Sequence, residues 1–402
     1  MMRLISCLGF LLCALCPGLL AGELTAWRSE ALDCDIQAEL LTPTAPPSAE
    51  AVPLAVYLKN LASPRVGTEP DEDIVASLRA DGFLVLCLEY KGNAKARFPF
   101  ITADIAQLRQ QLQTKKLLAG RNLDLNHSFI LPAGHRVLRN LVYYRDGARV
   151  LGIDLIYPSK PSKPVGTILE FSCDNTYRMG NYSLYACNDT LLEGLATEGC
   201  AVAMADHPVA PDYKGHDPMP DCARKIKAAV RLLRAEMLKH GGNGRIAPVG
   251  FSRGSGMALM LATTEGMKDF DGFGEVKEGD SSIQGAVILS GRFSYLDLLP
   301  NDKMIPRYER WWGKKAEHEE LWRLHGALDY LKGPTIPLFL SINSSEGPDA
   351  LHQMDVLRKR LTELGSPAEF IQEKEPRGHK VPHDLQLLQS MNDYLQRRLM
   401  AK

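Results

Sequence analysis

Beyond residue 22 no C-x-x-C pair occurs among the six cysteines, Cys34, Cys87, Cys173, Cys187, Cys200 and Cys222, so neither a zinc ribbon nor a thioredoxin-type redox site is spelled out there. Charge of one sign is lacking as well. The 47 Lys and Arg stand against 48 Asp and Glu, and no Lys/Arg run forms a basic arm, which leaves no electrostatic footprint for nucleic acid. Beyond the N-terminal segment, no apolar run reaches the ~20 residues that a membrane-spanning helix needs. Gly (33) and Pro (25) stand at ordinary levels, which excludes collagen-like and low-complexity chains. What remains is a sequence of 402 residues, 45% hydrophobic and 24% charged, enough for one large globular domain or two ordinary ones.

The N-terminal segment is of another kind. Arg3 supplies a positive start, residues 4–16 are almost wholly apolar, and Pro17–Gly22 ends in small residues before Glu23. That pattern is a secretory signal peptide over residues 1–22, so the mature protein is expected to be secreted or periplasmic and free of the membrane after cleavage. Cys7, Cys13 and Cys16 leave with the peptide. Export permits disulfides, and Cys173–Cys187 is the pair to test first; buried thiols in strands such as FLVLCLEY are the alternative.

From residue 137 onward apolar strands alternate with amphipathic helices. RVLRNLVYYRDGARVLGIDLIYP predicts a hairpin about Asp146-Gly147. Buried strands follow at Thr167–Phe171, CAVAMAD, RIAPVGF, SIQGAVILS and TIPLFLSIN, with PAEFIQE last, and helical segments lie between them. The expected fold is α/β: a mostly parallel eight-stranded sheet with helices on both faces, complete within residues 137–402. Residues 23–136 are surplus to it and form an accessory α/β segment without chemistry of its own. Their order echoes residues 166–251, with HSFILPAGH lying where IAPVGFSRG lies later but without the serine. The echo is either a degenerate partial duplication or the ordinary likeness of two βαβα units.

The sharpest local signal is GFSRGSG, Gly250 to Gly256, set between a buried strand and a helix. A G-x-S-x-G at such a junction is a nucleophile elbow. Ser252 must stand on a tight, strained turn, and small residues at 250 and 254 let the chain pass. The helix N-terminus favours negative charge there, and the N–H of Arg253 is placed to stabilise an oxyanion, a contribution of roughly 3–4 kcal/mol in a transition state. A serine hydroxyl needs a base. In chain order Ser, acid, His, the imidazole falls to His379 in EPRGHKVP, with His383 second and His352 placed inside a helix. The acid comes from SSEGPDALHQ, where Asp349 and Glu346 both qualify and Asp349 is slightly preferred because Gly347-Pro348 makes a turn that presents it. The second oxyanion donor is expected from the backbone of Cys173 or Asp174, although an HGGG run is absent. Asp206, His207, His216 and Asp217 have irregular spacing broken by proline, so they are assigned to loop structure, and neither metal nor cofactor is expected.

On these residues the region 137–402, about two-thirds of the chain, resembles the α/β-hydrolase superfamily in its esterase and dienelactone-hydrolase-like branches. The DG hairpin leading to GIDLIYP and the stretch ADHPVAPDYKGHDPMPDCARKIKAAVRLLR are similar to carbohydrate esterases of the feruloyl-esterase and acetyl-xylan-esterase type. GFSRGSG, SSEGPDALHQ and RGHKVP then fall in family order. Dienelactone hydrolases have Cys at the elbow, whereas Ser252 here favours ester hydrolysis. The resemblance implies a secreted serine esterase working through an acyl-enzyme on small-molecule or polysaccharide esters, plant polysaccharide above all. An exopeptidase-type serine hydrolase and a non-catalytic glycan-binding protein on the same scaffold are the competing readings. The aromatic-rich insertion GRFSYLDLLPNDKMIPRYERWWGKKAEHEELWRLHGALDYLKG would cap the site, with Trp311 and Trp312 stacking on sugar or aromatic acyl groups, unless those rings build a small core of their own.

Overall fold

A computed structural model describes residues 23–44, 51–63, 66–114, 118, 120–147, 149–171, 191–208 and 219–400. The first unit runs β1 (Glu23–Ser29), β2 (Cys34–Leu41), β3 (Leu54–Lys59), α1 (Asp71–Ala80), β4 (Leu84–Glu89), α2 (Phe100–Gln113) and β5 (Phe129–Pro132). The second begins with the hairpin β6 (His135–Asp146) and β7 (Arg149–Pro158), then β8 (Val165–Phe171), α3 (Leu191–Ala196), β9 (Ala201–Ala205) and α4 (Met219–Lys239). It continues through β10 (Gly242–Phe251), α5 (Arg253–Thr263), β11 (Ala286–Leu289), α6 (Ile305–Trp312) and α7 (Glu319–His325). It ends with β12 (Leu338–Asn343), α8 (Pro348–Glu363), β13 (Ala368–Glu373) and α9 (Leu385–Leu399).

The second sheet has the order β13-β12-β11-β10-β8-β9-β7-β6, parallel from β9 to β13 and antiparallel at the hairpin edge. This is the eight-stranded sheet expected from the alternation of strands and helices. Its two faces follow from the period of two along each strand. Leu169, Phe171, Ala203, Ala205, Ile288, Leu340 and Ile342 face a core shared with α4, α5 and α8. Ile168, Val202, Met204, Val249, Phe251, Val287, Leu289 and Phe339 face the other way, toward α3 and α9.

The first sheet has the order β1-β2-β4-β3-β5, with β1, β2 and β4 antiparallel in turn and β4, β3 and β5 parallel. The second sheet starts with the same order and the same senses, β6-β7-β9-β8-β10. The echo in the sequence is therefore an identity of topology over five strands, after which the first unit stops. It includes a hairpin, β1 and β2, that the sequence did not announce: its connection, Glu30–Asp33, contains neither Gly nor Pro, and Asp33 itself takes φ 51°. The chain leaves β5 through left-handed Gly134 (φ 73°) and leaves β10 through left-handed Ser252 (φ 56°).

The two units share one apolar core. Helix α3 is buried at all six positions because the second sheet covers one side and α2 the other. At Gly194 the approach is close: a Cβ would stand 2.3 Å from Thr102 Oγ1. Beside it Arg109 of α2 pairs with Glu193 of α3, their side chains 5% and 0% exposed. A second tie joins Glu69 to Arg136 through two 2.7 Å contacts and to the Ser159 hydroxyl, and Thr68 N–H donates to Ser159 O at 2.9 Å. These bonds from Arg136 and Ser159 hold the Glu69 carboxyl down at about 2. Four described cysteines, Cys34, Cys87, Cys200 and Cys222, are free thiols, and Cys173–Cys187 lies outside the described residues.

Arg109→Leu strands a fully buried carboxylate, so it is expected to cost about 3–5 kcal/mol in urea unfolding; an unchanged midpoint would remove the pair from the account of how the units are held. Glu69 has a lower pKa folded than unfolded, so its contribution is complete above about 4.5 and fades as pH falls toward about 2. Glu69→Gln should flatten that part of the acid-unfolding curve, measured by circular dichroism.

Candidate active site

Ser252 occupies the single residue between β10 and α5, at φ 56° and ψ −115°. Such a conformation costs on the order of 1–3 kcal/mol and must be held by its surroundings. The Ser252 N–H donates to Leu289 O at 3.3 Å, and the Ser255 hydroxyl lies within reach of Ser252 O (2.5 Å) and of Ser290 O. The flanking glycines are steric requirements. A Cβ at Gly250 would stand 2.2 Å from Gly254 O, and one at Gly254 would stand 2.6 Å from Phe171 O. The second contact also sets the end of β8 against the elbow. Arg253 opens α5, so its N–H belongs to the first turn, whose leading amides have no carbonyl four residues back within the helix.

His379 lies in the loop between β13 and α9. Its Nε2 is 2.9 Å from Ser252 Oγ and its Nδ1 is 2.7 Å from Glu346 Oε2. With the carboxylate ionised, the ring proton resides on Nδ1, and Nε2 accepts from the serine hydroxyl. The Glu346 side chain is 1% exposed while that of His379 is 49% exposed, so the relay runs from a buried anion to an open imidazole. The ring rests against Phe251, with centroids 4.8 Å apart.

The loops that carry the acid and the imidazole are tied to each other. Asn343, the last residue of β12, donates from Nδ2 to Glu375 O at 2.7 Å and accepts from Ser345 N at 3.0 Å. Ser345 Oγ in turn accepts from Gly378 N at 2.9 Å, next to His379. Below them Arg377 and Glu373 form a buried two-point pair. None of these residues was singled out from the sequence. Their signal was only a cluster of small polar residues after a buried strand.

Asp349 does not meet His379, which corrects the preference drawn from the sequence. Gly347 caps α8 and Pro348 begins it, so Asp349 falls in the first helical turn, where the helix dipole favours a carboxylate. There it lies 3.6 Å from Arg292, which also forks onto Asp302 at 2.9 and 3.1 Å. Glu346, three residues beyond the strand, is the carboxylate within reach. His352 sits in α8 with Nε2 2.8 Å from Asp297 O, and His383 is exposed just before α9. Cys173 and Asp174 lie outside the described residues, as do His216 and Asp217. Asp206, the residue after β9, accepts from Gly152 N of the neighbouring strand β7 at 2.8 Å.

The aromatic insertion builds a core of its own. Tyr308, Trp312 and Trp322 are buried together, Trp312 stacks on Tyr308 at 5.0 Å and on His325 at 3.9 Å, and burial lowers the His325 imidazole to about 4. Trp312 is thus withdrawn from the substrate-stacking role expected of it, because its ring is consumed by packing between α6 and α7. Trp311 stays half-buried, with the Arg307 guanidinium 5.1 Å from its ring.

The fold has counterparts among known proteins. A truncated carbohydrate esterase from gut microbiota superposes with TM-score 0.56 at 17% identity, over 65% of this chain and 96% of its own. A bifunctional GH43-CE protein of Bacteroides eggerthii gives 0.53 at 17% identity, over 65% of this chain and 38% of its own. Esterase 2 of Thermogutta terrifontis, bound to propionate, gives 0.50 at 15% identity, over 67% and 97%. At such identities these likenesses establish the α/β-hydrolase fold. Among curated protein sequences none matches this chain. The BD-FAE family matches residues 153–376, more than half of the chain and the stretch that contains Ser252 and Glu346. The chain belongs to the BD-FAE family, α/β-hydrolases that are bifunctional feruloyl/acetyl esterases, and is a carboxylic ester hydrolase.

Proposed function

We propose that the protein is an exported serine esterase that removes acyl groups, feruloyl or acetyl, from plant polysaccharide or related small esters. The observation that carries the reading is the unbroken relay from Ser252 Oγ through His379 to Glu346, with contacts of 2.9 and 2.7 Å. Ser252 Oγ attacks the ester carbonyl carbon as His379 Nε2 takes its proton, and the N–H of Arg253 stabilises the oxyanion. The tetrahedral adduct collapses, the bond to the alcohol oxygen breaks, and His379 returns the proton to that oxygen. Water then attacks the acyl-enzyme by the same proton route, which releases the acid and restores the serine. Glu346 keeps the ring proton on Nδ1 and stabilises the imidazolium.

The choice of a carbohydrate ester is supported by family membership and by one of the structural counterparts, whose description names a carbohydrate esterase. Export rests on residues 1–22, which lie outside the described residues. Residues 23–136 are, in this reading, a partial repeat of the catalytic sheet without chemistry: Ala133 follows β5 where Ser252 follows β10, and the repeat ends before any strand that could bring an acid and an imidazole.

A fluorophosphonate probe is expected to label the protein at Ser252, located by peptide mass mapping, and p-nitrophenyl acetate and methyl ferulate to be hydrolysed. Ser252→Ala should abolish labelling and lower kcat by on the order of 10⁶-fold. Labelling at another residue, or turnover of peptide amides in place of esters, would overturn the proposal. The acid is tested separately: Glu346→Gln should lower kcat by about 10³–10⁴-fold while Asp349→Asn stays within about threefold of the parent. The reverse ranking would return the role to Asp349.

A further inference from the structure

One hydroxyl outside the relay touches it. Ser290, the residue after β11, donates from Oγ to Glu346 Oε2 at 2.8 Å, the same oxygen that binds His379 Nδ1. Glu346 Oε1 is buried and has no hydrogen-bond partner among the described residues, so the carboxylate is held through one oxygen by two donors. A glutamate has one more rotatable bond than an aspartate, and a carboxylate anchored only by an imidazole could still turn about that contact. The hydroxyl supplies the second point that fixes it.

Ser290 is in turn fixed by backbone. It takes φ 64° and is followed by Gly291 at φ 148°, a pair of conformations that turns the chain sharply at the carboxyl end of β11. Its N–H donates to Ser341 O at 3.0 Å, and its carbonyl lies against the Ser255 hydroxyl, which also reaches the carbonyl of Ser252. A Cβ at Gly291 would stand 2.1 Å from Ser255 Oγ, so this corner leaves room only for glycine. Ser255 therefore binds the elbow and the Ser290 corner to each other, and Ser290 passes that geometry to the acid.

We infer that Ser290 is a positioning residue of the ester hydrolase, a fourth side chain that sets the orientation and basicity of Glu346 and through it the proton affinity of His379. The inference rests on the triad reading above. Without the hydroxyl, Oε2 becomes a stronger acceptor, the imidazolium Nδ1–H is bound more tightly, and His379 keeps its proton to higher pH.

The test compares Ser290→Ala, which removes the hydroxyl but keeps the Cβ, with Ser290→Gly, which also relieves the positive φ and so folds at least as well. Both are expected to lower kcat on p-nitrophenyl acetate about tenfold with KM within about twofold, the loss of one hydrogen bond to a charged group. Both should also move the acid limb of the kcat–pH profile upward by about half a unit. A kcat within twofold of the parent with an unmoved limb overturns the inference, and so does full activity in Ser290→Gly with loss only in Ser290→Ala, which would make the effect one of backbone shape. Fluorophosphonate labelling of the parent at Ser252 is run beside them: its failure would count against the triad, whereas normal parent labelling with unaltered variants counts against Ser290 alone.

Discussion

The catalytic architecture depends on a steric constraint in which three backbones meet at one point. Gly250, Gly254 and the carbonyl of Phe171 approach so closely that a single added carbon at either glycine would overlap a carbonyl oxygen. That contact forces Ser252 out of ordinary strand or helix geometry and lifts its hydroxyl off the sheet. It also brings the end of β8 and the start of α5 to the same place, which is where an oxyanion must be met. The bend is held in place by β8 and β11, the strands that flank β10, which are buried along their length. The apolar core of the second unit serves the site by making this bend unavoidable.

Glu346, Ser290 and His379 come from three successive strand ends, β12, β11 and β13, all on the carboxyl side of the sheet. A parallel sheet collects such loops on one edge, so residues distant in sequence become neighbours. What the loops need is fixed register. Asn343, Ser345 and the buried pair Arg377 and Glu373 supply it by binding the acid loop to the imidazole loop, leaving His379 open to solvent on its outer side.

Much of this was legible in the chain because it rests on periodicity. Alternating buried strands and amphipathic helices gave the sheet, and the glycine spacing around Ser252 gave the elbow. His379 followed from chain order. The acid was misjudged because choosing between Glu346 and Asp349 needs the ends of β12 and α8 to within a residue, and Gly347-Pro348 proved to be a helix start where a presenting turn was expected. The first hairpin went unseen because its turn uses Asp33 in a conformation that glycine usually takes. The fate of Trp312 was hidden for a different reason: whether an aromatic ring faces solvent or another ring is decided by tertiary packing and leaves no mark on local pattern.

The first unit has the opening order of the second but ends after five strands, so it carries an unfinished border where a sixth strand would lie. That border is β5, four residues long and closed by Pro132, which has no N–H to offer. A short rim interrupted by proline is a poor template for a stray strand from another molecule. The unfinished side is therefore closed twice, by a short strand that ends in proline and by the packing of α3 against it.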